Sequence, residues 1–123
     1  MSIEDLNNSV TTAILRAEAL PPGSWEAERA FREVAEIEQE LAAIVGAQTV
    51  QGEVARLGAV AASLSAGDPL RAVQLAERYL EDALSDRSRT RLEQLHAEAE
   101  AEITRAAAVS PNVVPIPFIL NAA

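Results

Sequence analysis

The sequence predicts an all-α fold: an antiparallel bundle of four to five helices with an extended apolar C-terminal tail. Three observations predict it. Apolar residues recur at alternating three- and four-residue spacing from the start of the chain to about residue 109, the repeat of one helix face. The stretches "PPGS" (21–24), "GDP" (67–69), "SDRS" (85–88) and Ser110-Pro111 interrupt that repeat with residues that end one helix or cap the next. Apolar residues make up 49% of the chain but aromatics only 3%, a small-residue composition that suits closely packed helices. No strand-like alternation occurs before residue 112. At 123 residues the chain divides into one bundle domain, 1–110, and an arm, 111–123.

The first helix is expected over residues 2–20. Ser2 caps it, with Asp5 three positions on in a capping-box arrangement, and Ile3, Leu6, Val10, Ala13, Ala17 and Leu20 form one seam. Pro21 to Ser24 stop it and provide Ser24 as the next cap. The second helix is expected over about 25–45, with a seam of Ala30, Val34, Ile37, Leu41 and Ile44 and Phe31 beside it. Glu26, Glu28, Glu33, Glu36, Glu38 and Glu40 lie off that seam, against only Arg29 and Arg32, which makes this the most acidic helix.

Residues 46–67 carry only Glu53 and Arg56 as charges. Val50, Val54, Leu57, Ala61 and Leu64 mark a bulky seam, while Gly52, Ala55, Ala59, Ala62 and Ala66 mark a face of small residues. A helix with two such faces predicts the centre of the bundle. The two mid-segment charges argue against a membrane span. Whether it is separate from the second helix is open at Gly46. Gly67-Asp68-Pro69 then reads as a C′ glycine, an N-cap and a proline at the first helical position. A fourth helix is expected over about 69–84, with Val73, Ala76, Leu80 and Ala83 as its seam and Tyr79 flanking. A fifth is expected over about 88–109, with Leu92, Leu95, Ala99, Ile103 and Ala106.

The stretch "AGDPLRAVQLAERYLEDAL" followed by a further helix resembles a tetratricopeptide-type helical hairpin. The resemblance covers one hairpin, without that family's patterned tryptophan and glycine and without a second copy at the family's period of about 34 residues. It implies peptide binding rather than chemistry.

Charge and composition narrow the function. A net charge of −9 opposes nucleic acid, whose binding depends on basic patches, and disfavours anionic membrane surfaces. The absence of cysteine excludes disulfides and thiolate metal sites. Glu4 and Asp5 stand where a signal peptide would carry cations, so a cytoplasmic location is expected. One histidine and no nucleophile-elbow motif leave no Ser-His-Asp set, and no glycine-rich phosphate loop is present.

Two carboxylate motifs bear on metal chemistry. Glu93 and His96 share one helix face at Glu-x-x-His spacing, the half-motif of di-metal bundles, which need two such motifs and two more glutamates. Glu33 and Glu36 resemble the first acidic pair of all-α nucleotide pyrophosphohydrolases, a resemblance that implies magnesium held by that pair. Taken with the Glu-x-x-His half-motif, a further expectation is a metal-dependent hydrolase or di-metal protein using Glu33, Glu36, Glu93 and His96. The second pair of that family, Glu-x-x-Asp, is missing from the chain. No metal and no cofactor is therefore expected. Arg87, Arg89 and Arg91 crowd the start of the fifth helix, against its dipole. Pairing with Glu81, Asp82 and Asp86 is the expected outcome, and an external carboxylate or phosphate the alternative.

The tail remains. Ser110 to Ala123 contain no charged side chain and carry Val113, Val114, Ile116, Phe118, Ile119 and Leu120. Extended, the segment directs Val114, Ile116, Phe118 and Leu120 to one face. Pro115 and Pro117 remove amide donors from one edge only. Burial gain and ordering cost are of the same order, and the prolines stiffen the free segment. These are properties of a docking arm; the alternative is that it covers the small-residue face of the third helix. The sequence therefore predicts a non-enzymatic interaction or assembly subunit that binds another protein chain, a copy of itself or a different subunit. Its partner-binding residues would be Val114, Ile116, Phe118 and Leu120, with Glu33, Glu36 and Glu40 on an acidic steering face. An acidic inhibitor or immunity-type protein that blocks a basic partner is the second expectation.

Overall fold

The computed structural model describes residues 2–109. These form five helices and no strand: α1 (Ile3–Glu18), α2 (Trp25–Ile44), α3 (Val50–Ser65), α4 (Pro69–Tyr79) and α5 (Asp86–Val109). The predicted arm, with Val114, Ile116, Phe118 and Leu120, lies outside the described residues.

The helix boundaries follow local chemistry. The Ser2 hydroxyl accepts from the Asp5 N–H while the Asp5 carboxylate accepts from the Ser2 N–H, so both halves of the capping box form. At 21–24 a tight turn closes with the Ser24 N–H donating to the Pro21 carbonyl, and Gly23 takes φ +79°, the left-handed third position of a type II turn. Ser24 then caps α2 by accepting from the Ala27 N–H. α2 and α3 are separate helices. Val45 leaves α2 in extended geometry, and Thr49 starts α3 by accepting from the Gly52 N–H at 2.9 Å.

Between α3 and α4 one short stretch serves both ends. The Asp68 N–H donates to Ser63 O and the Gly67 N–H to Leu64 O, with Gly67 at φ +73°, a Schellman closure of α3. The same Asp68 accepts from the Arg71 N–H and so caps α4, which opens on Pro69. α4 ends at Tyr79 rather than near residue 84, and α5 begins at Asp86 rather than 88. Glu81 and Asp82, misplaced for the dipole of a longer α4, instead tighten its end through short-range bonds to Arg78 O and Tyr79 O. Ser85 caps α5 by accepting from the Ser88 N–H.

Each helix packs on its neighbour in the chain, and α3 alone also meets α5. α2 and α3 run antiparallel: Gly67 at the end of α3 faces Glu28 near the start of α2, and Gly58 faces Glu38 midway along both. The core is contiguous, from Leu6, Val10 and Ala13 of α1 through Val34 and Leu41 of α2 and Ala59 and Val60 of α3 to Leu75, Leu92 and Leu95. α3 is the centre of this bundle, as its composition predicted. It buries Gly52, Ala55, Ala59, Ala62 and Ala66, the small face, while Val54 of the bulky seam stays 57% exposed and Val50 78% exposed. Close approach to α2 is what small residues permit and bulky ones prevent. At Gly52 a Cβ would collide with the carbonyl of Gly46.

Helices that pack on two sides bury a wider arc than a single seam. α2 buries Ala27, Ala35 and Ala42 as well as Val34 and Leu41, but leaves Ile44 53% exposed. α4 buries Ala72, Leu75, Ala76 and Tyr79, one position round from the expected seam, with Ala83 exposed beyond its end. α5 buries Leu92, Leu95 and Ala99, but Ile103 and Ala106 of the same seam are exposed. With 24 residues against the 11 of α4, α5 outruns its neighbour, and every residue from Glu100 to Val109 is exposed.

Candidate functional site

Glu33, Glu36 and Glu40 lie on the exposed outer face of α2. Glu33 makes a long ion pair of 3.6 Å with Arg16 of α1, both side chains more than half exposed. Glu36 borders a cavity of about 210 Å³ with Arg32, Gln39 and Arg71, where the Arg71 guanidinium donates to the Gln39 amide oxygen. Glu40 has the free exposure expected of it.

Glu38 departs from the expected solvated face. It is buried at the α2–α3 contact, 6% exposed, in the space left by Gly58. Burial pushes its carboxyl up to about 7. The spacing of Glu33, Glu36 and Glu40 placed Glu38 with them, but a helix flanked by α1 and α3 turns a second arc inward. A glycine on the facing helix was the available signal.

The two charges of α3 are both structural ties. Arg56 is buried: Nε donates to Asp82 Oδ2 at 2.8 Å, and Nη1 donates to Val45 O at 3.1 Å and Gly52 O at 2.9 Å. Its guanidinium carbon also stands 5.6 Å from the Tyr79 ring centroid. The side chain thus satisfies the end of α2 and anchors the α4–α5 connection. Desolvation raises the Tyr79 hydroxyl above its ordinary range, against the pull of Arg56. Glu53 accepts from the Ser85 N–H, and that backbone bond lowers its carboxyl below the ordinary value.

The arginines at the start of α5 do not pair with the acids expected of them. Arg89 donates to the backbone carbonyls of Leu80 at 2.8 Å and Asp82 at 2.9 Å, capping α4. The Asp82 carboxylate belongs to Arg56. Among the described residues no ion pair joins Arg87, Arg89 or Arg91 to Glu81, Asp82 or Asp86. A short α4 exposes carbonyls at its end, and a forked donor reaches them before it reaches a carboxylate.

His96 faces away from a di-metal geometry. Its Nε2 lies 2.9 Å from Glu77 Oε2 of α4 and its Nδ1 3.3 Å from Glu100 Oε1, while Glu93 takes no part. α2 and α5 are not in contact, so Glu33 and Glu36 are apart from Glu93 and His96. Among the described residues no group of three or more His, Asp and Glu side chains is placed to hold a metal ion.

The bulky seam of α3 is exposed at its start, at Val50 and Val54, and packs on the core further along, at Leu57 and Leu64. Val50, Val54, Leu57 and Leu64 run along it, and Leu57 forms one wall of a cavity of about 580 Å³. Asp86, Arg87, Ser88, Thr90, Arg91 and Gln94 of α5 form the other wall. The small face that a returning tail was expected to cover is already occupied by α2. Among the described residues no helix is long and apolar enough to cross a membrane. In comparison with known proteins, the chain matches no family model, no curated protein and no solved structure.

Proposed function

We propose that this chain is a non-enzymatic interaction or assembly subunit whose bundle presents a C-terminal apolar arm to another protein chain. Val114, Ile116, Phe118 and Leu120 would anchor it. The observation that carries this reading is the overhang of α5: ten consecutive exposed residues, Glu100 to Val109, stand between the core and the arm. At about 1.5 Å per residue this is a stalk of roughly 15 Å. A segment meant only to cover its own bundle gains nothing from being carried beyond it. The cysteine-free composition accords with a cytoplasmic location, which is part of the same proposal.

Truncation after Ser110, with mass measured in solution and in cell extract, tests the reading. The expected result is loss of the assembled form with the helical bundle intact. Unchanged mass and partners with a lowered melting temperature would make the arm a part of its own domain.

A second reading is favoured by the exposure of Glu33, Glu36 and Glu40 on one helix. In it, the acidic face blocks a basic partner, as an inhibitor or immunity-type protein does. Binding of that kind weakens steeply between low and high salt, whereas docking through the arm changes little.

A further inference from the structure

We infer that the cavity between α2 and α4 is a binding site for a small molecule carrying a phosphate group. It is independent of the assembly reading and uses the bundle alone. α2 and α4 both pack on α3 but not on each other, so a cleft is left between them with α3 as its floor. Part of this cleft is a cavity of about 410 Å³, a size within the roughly 300–1,000 Å³ of small-ligand sites. Gln39 and Ala43 of α2, Arg56 of α3, Arg78 and Tyr79 of α4, and Asp82 just beyond α4 line it.

The polar groups that the fold leaves unused on these walls are donors. Arg56 commits Nε to Asp82 and Nη1 to the carbonyls of Val45 and Gly52, which leaves Nη2. Tyr79 is 6% exposed, yet its hydroxyl has no hydrogen bond among the described residues. No fully enclosed side-chain oxygen or nitrogen among those residues lacks a partner, so this hydroxyl and Arg56 Nη2 both open on the cavity. The Gln39 amide oxygen accepts from Arg71, and its NH2 is the free end. Arg78 is exposed and forms no ion pair among the described residues. The one carboxylate among the lining residues, Asp82, is held on Arg56 at 2.8 Å.

Charge and shape choose the ligand. Beside desolvation, the charges acting on the Tyr79 hydroxyl are Arg56, Arg78 and Arg71, against Asp82 alone. Three arginines against one aspartate make this a positive site on a chain whose net charge is −9. A phosphate monoester carries about −1.5 to −2 at neutral pH, and arginine is its preferred planar donor. The free donors come from α2, α3 and α4, on separate sides of the cavity. A carboxylate offers its oxygens in one plane, whereas a phosphate turns three oxygens to three walls. Ala43 leaves an uncharged surface for the carbon part of the ester. Bound there, the ligand ties α2 to α4, which do not otherwise pack together.

Calorimetric titration of the full chain with β-glycerophosphate, at fixed ionic strength, tests the site. Saturable binding of one molecule per chain is expected. Arg78→Gln and Tyr79→Phe should each weaken it about tenfold, the loss of one hydrogen bond to a charged group, with helical content unchanged. Arg78 is exposed, so its substitution leaves the core intact. Arg91→Gln removes the same charge from the cavity between α3 and α5 and should change nothing. Succinate, a dianion with planar carboxylates, should bind about tenfold more weakly than the phosphate ester. No saturation at millimolar concentrations overturns the inference. So does an equal loss in Arg91→Gln and Arg78→Gln, which reduces the binding to general charge attraction. Tyr79→Phe without effect places the ligand outside the cavity, and succinate binding as tightly as β-glycerophosphate removes the choice of phosphate. Either result overturns the inference, and neither bears on the arm.

Discussion

The carboxyl group of Glu38 occupies the space that a side chain on Gly58 would need. A Cβ on Gly58 would fall well inside van der Waals contact with Glu38 Oε2 and would lie 3.3 Å from Cγ. The pair couples two helices through one buried acid and one missing side chain. In the natural background Gly58→Ala is expected to forfeit much of alanine's helix-propensity gain, because the Glu38 carboxyl must swing out of this space. In a Glu38→Ala background the same change should stabilise by about 1 kcal/mol, the ordinary helix-propensity gain. A double-mutant cycle by chemical denaturation reads the difference directly.

The same burial makes stability pH-dependent. Desolvation raises the Glu38 carboxyl from 4.5 to about 7, so between those values the folded chain holds a proton that the unfolded chain has released. Its contribution is complete below 4.5 and is lost as pH rises through 7. Glu38→Gln should leave the melting temperature unchanged near pH 4 and raise it at pH 8, by roughly 1 kcal/mol of stability after allowing for solvent screening. Melting curves at the two pH values check this.

Gly52 is held by backbone rather than by a side chain. A Cβ there meets Gly46 O and C, which belong to the connection between α2 and α3 and cannot swing aside. Gly52→Ala is expected to destabilise by about 1–3 kcal/mol, despite alanine's better helix propensity. Urea denaturation of the purified variant gives the value.

Arg56 ties three elements at once, through Asp82, Val45 O and Gly52 O. Arg56→Lys keeps the charge but not the fork of donors, so the Val45 carbonyl or Asp82 loses its partner. A loss of about 1.5–3 kcal/mol is expected, the range for hydrogen bonds to charged groups. Hydrogen exchange should show the loss first at residues 80–88, where Asp82 and Arg89 hold the connection.

Most caps and turns were legible from residue types because they are local, whereas the helix count stayed at four or five because nothing near Gly46 settled the break between α2 and α3. Ser2 with Asp5, Ser24, Gly67, Asp68 and Pro69 each act within a few residues of themselves. Burial was legible most fully where a helix has a single neighbour. α1 packs on α2 alone and buries Leu6, Val10, Ala13 and Ala17 as its seam predicts. For α2 and α4, flanked on both sides, the arc widened and took in Glu38 and Leu75, which one seam does not predict. The arginines of α5 show the same limit, since their partners were carbonyls created by the early end of α4.

By itself the sequence determined an all-α fold, most of its caps and turns, and a cysteine-free acidic composition. Only the tertiary structure decided which face of α3 is inside, and it chose the small one, because α2 must approach closely to bury its own seam. That choice left Val50 and Val54 at the surface and gave Arg56 to the core. It also let α5 outrun α4, a matter of relative lengths in contact that no local pattern specifies. The reason is physical: capping and turn chemistry are satisfied within a few residues, whereas burial is a property of two surfaces that meet.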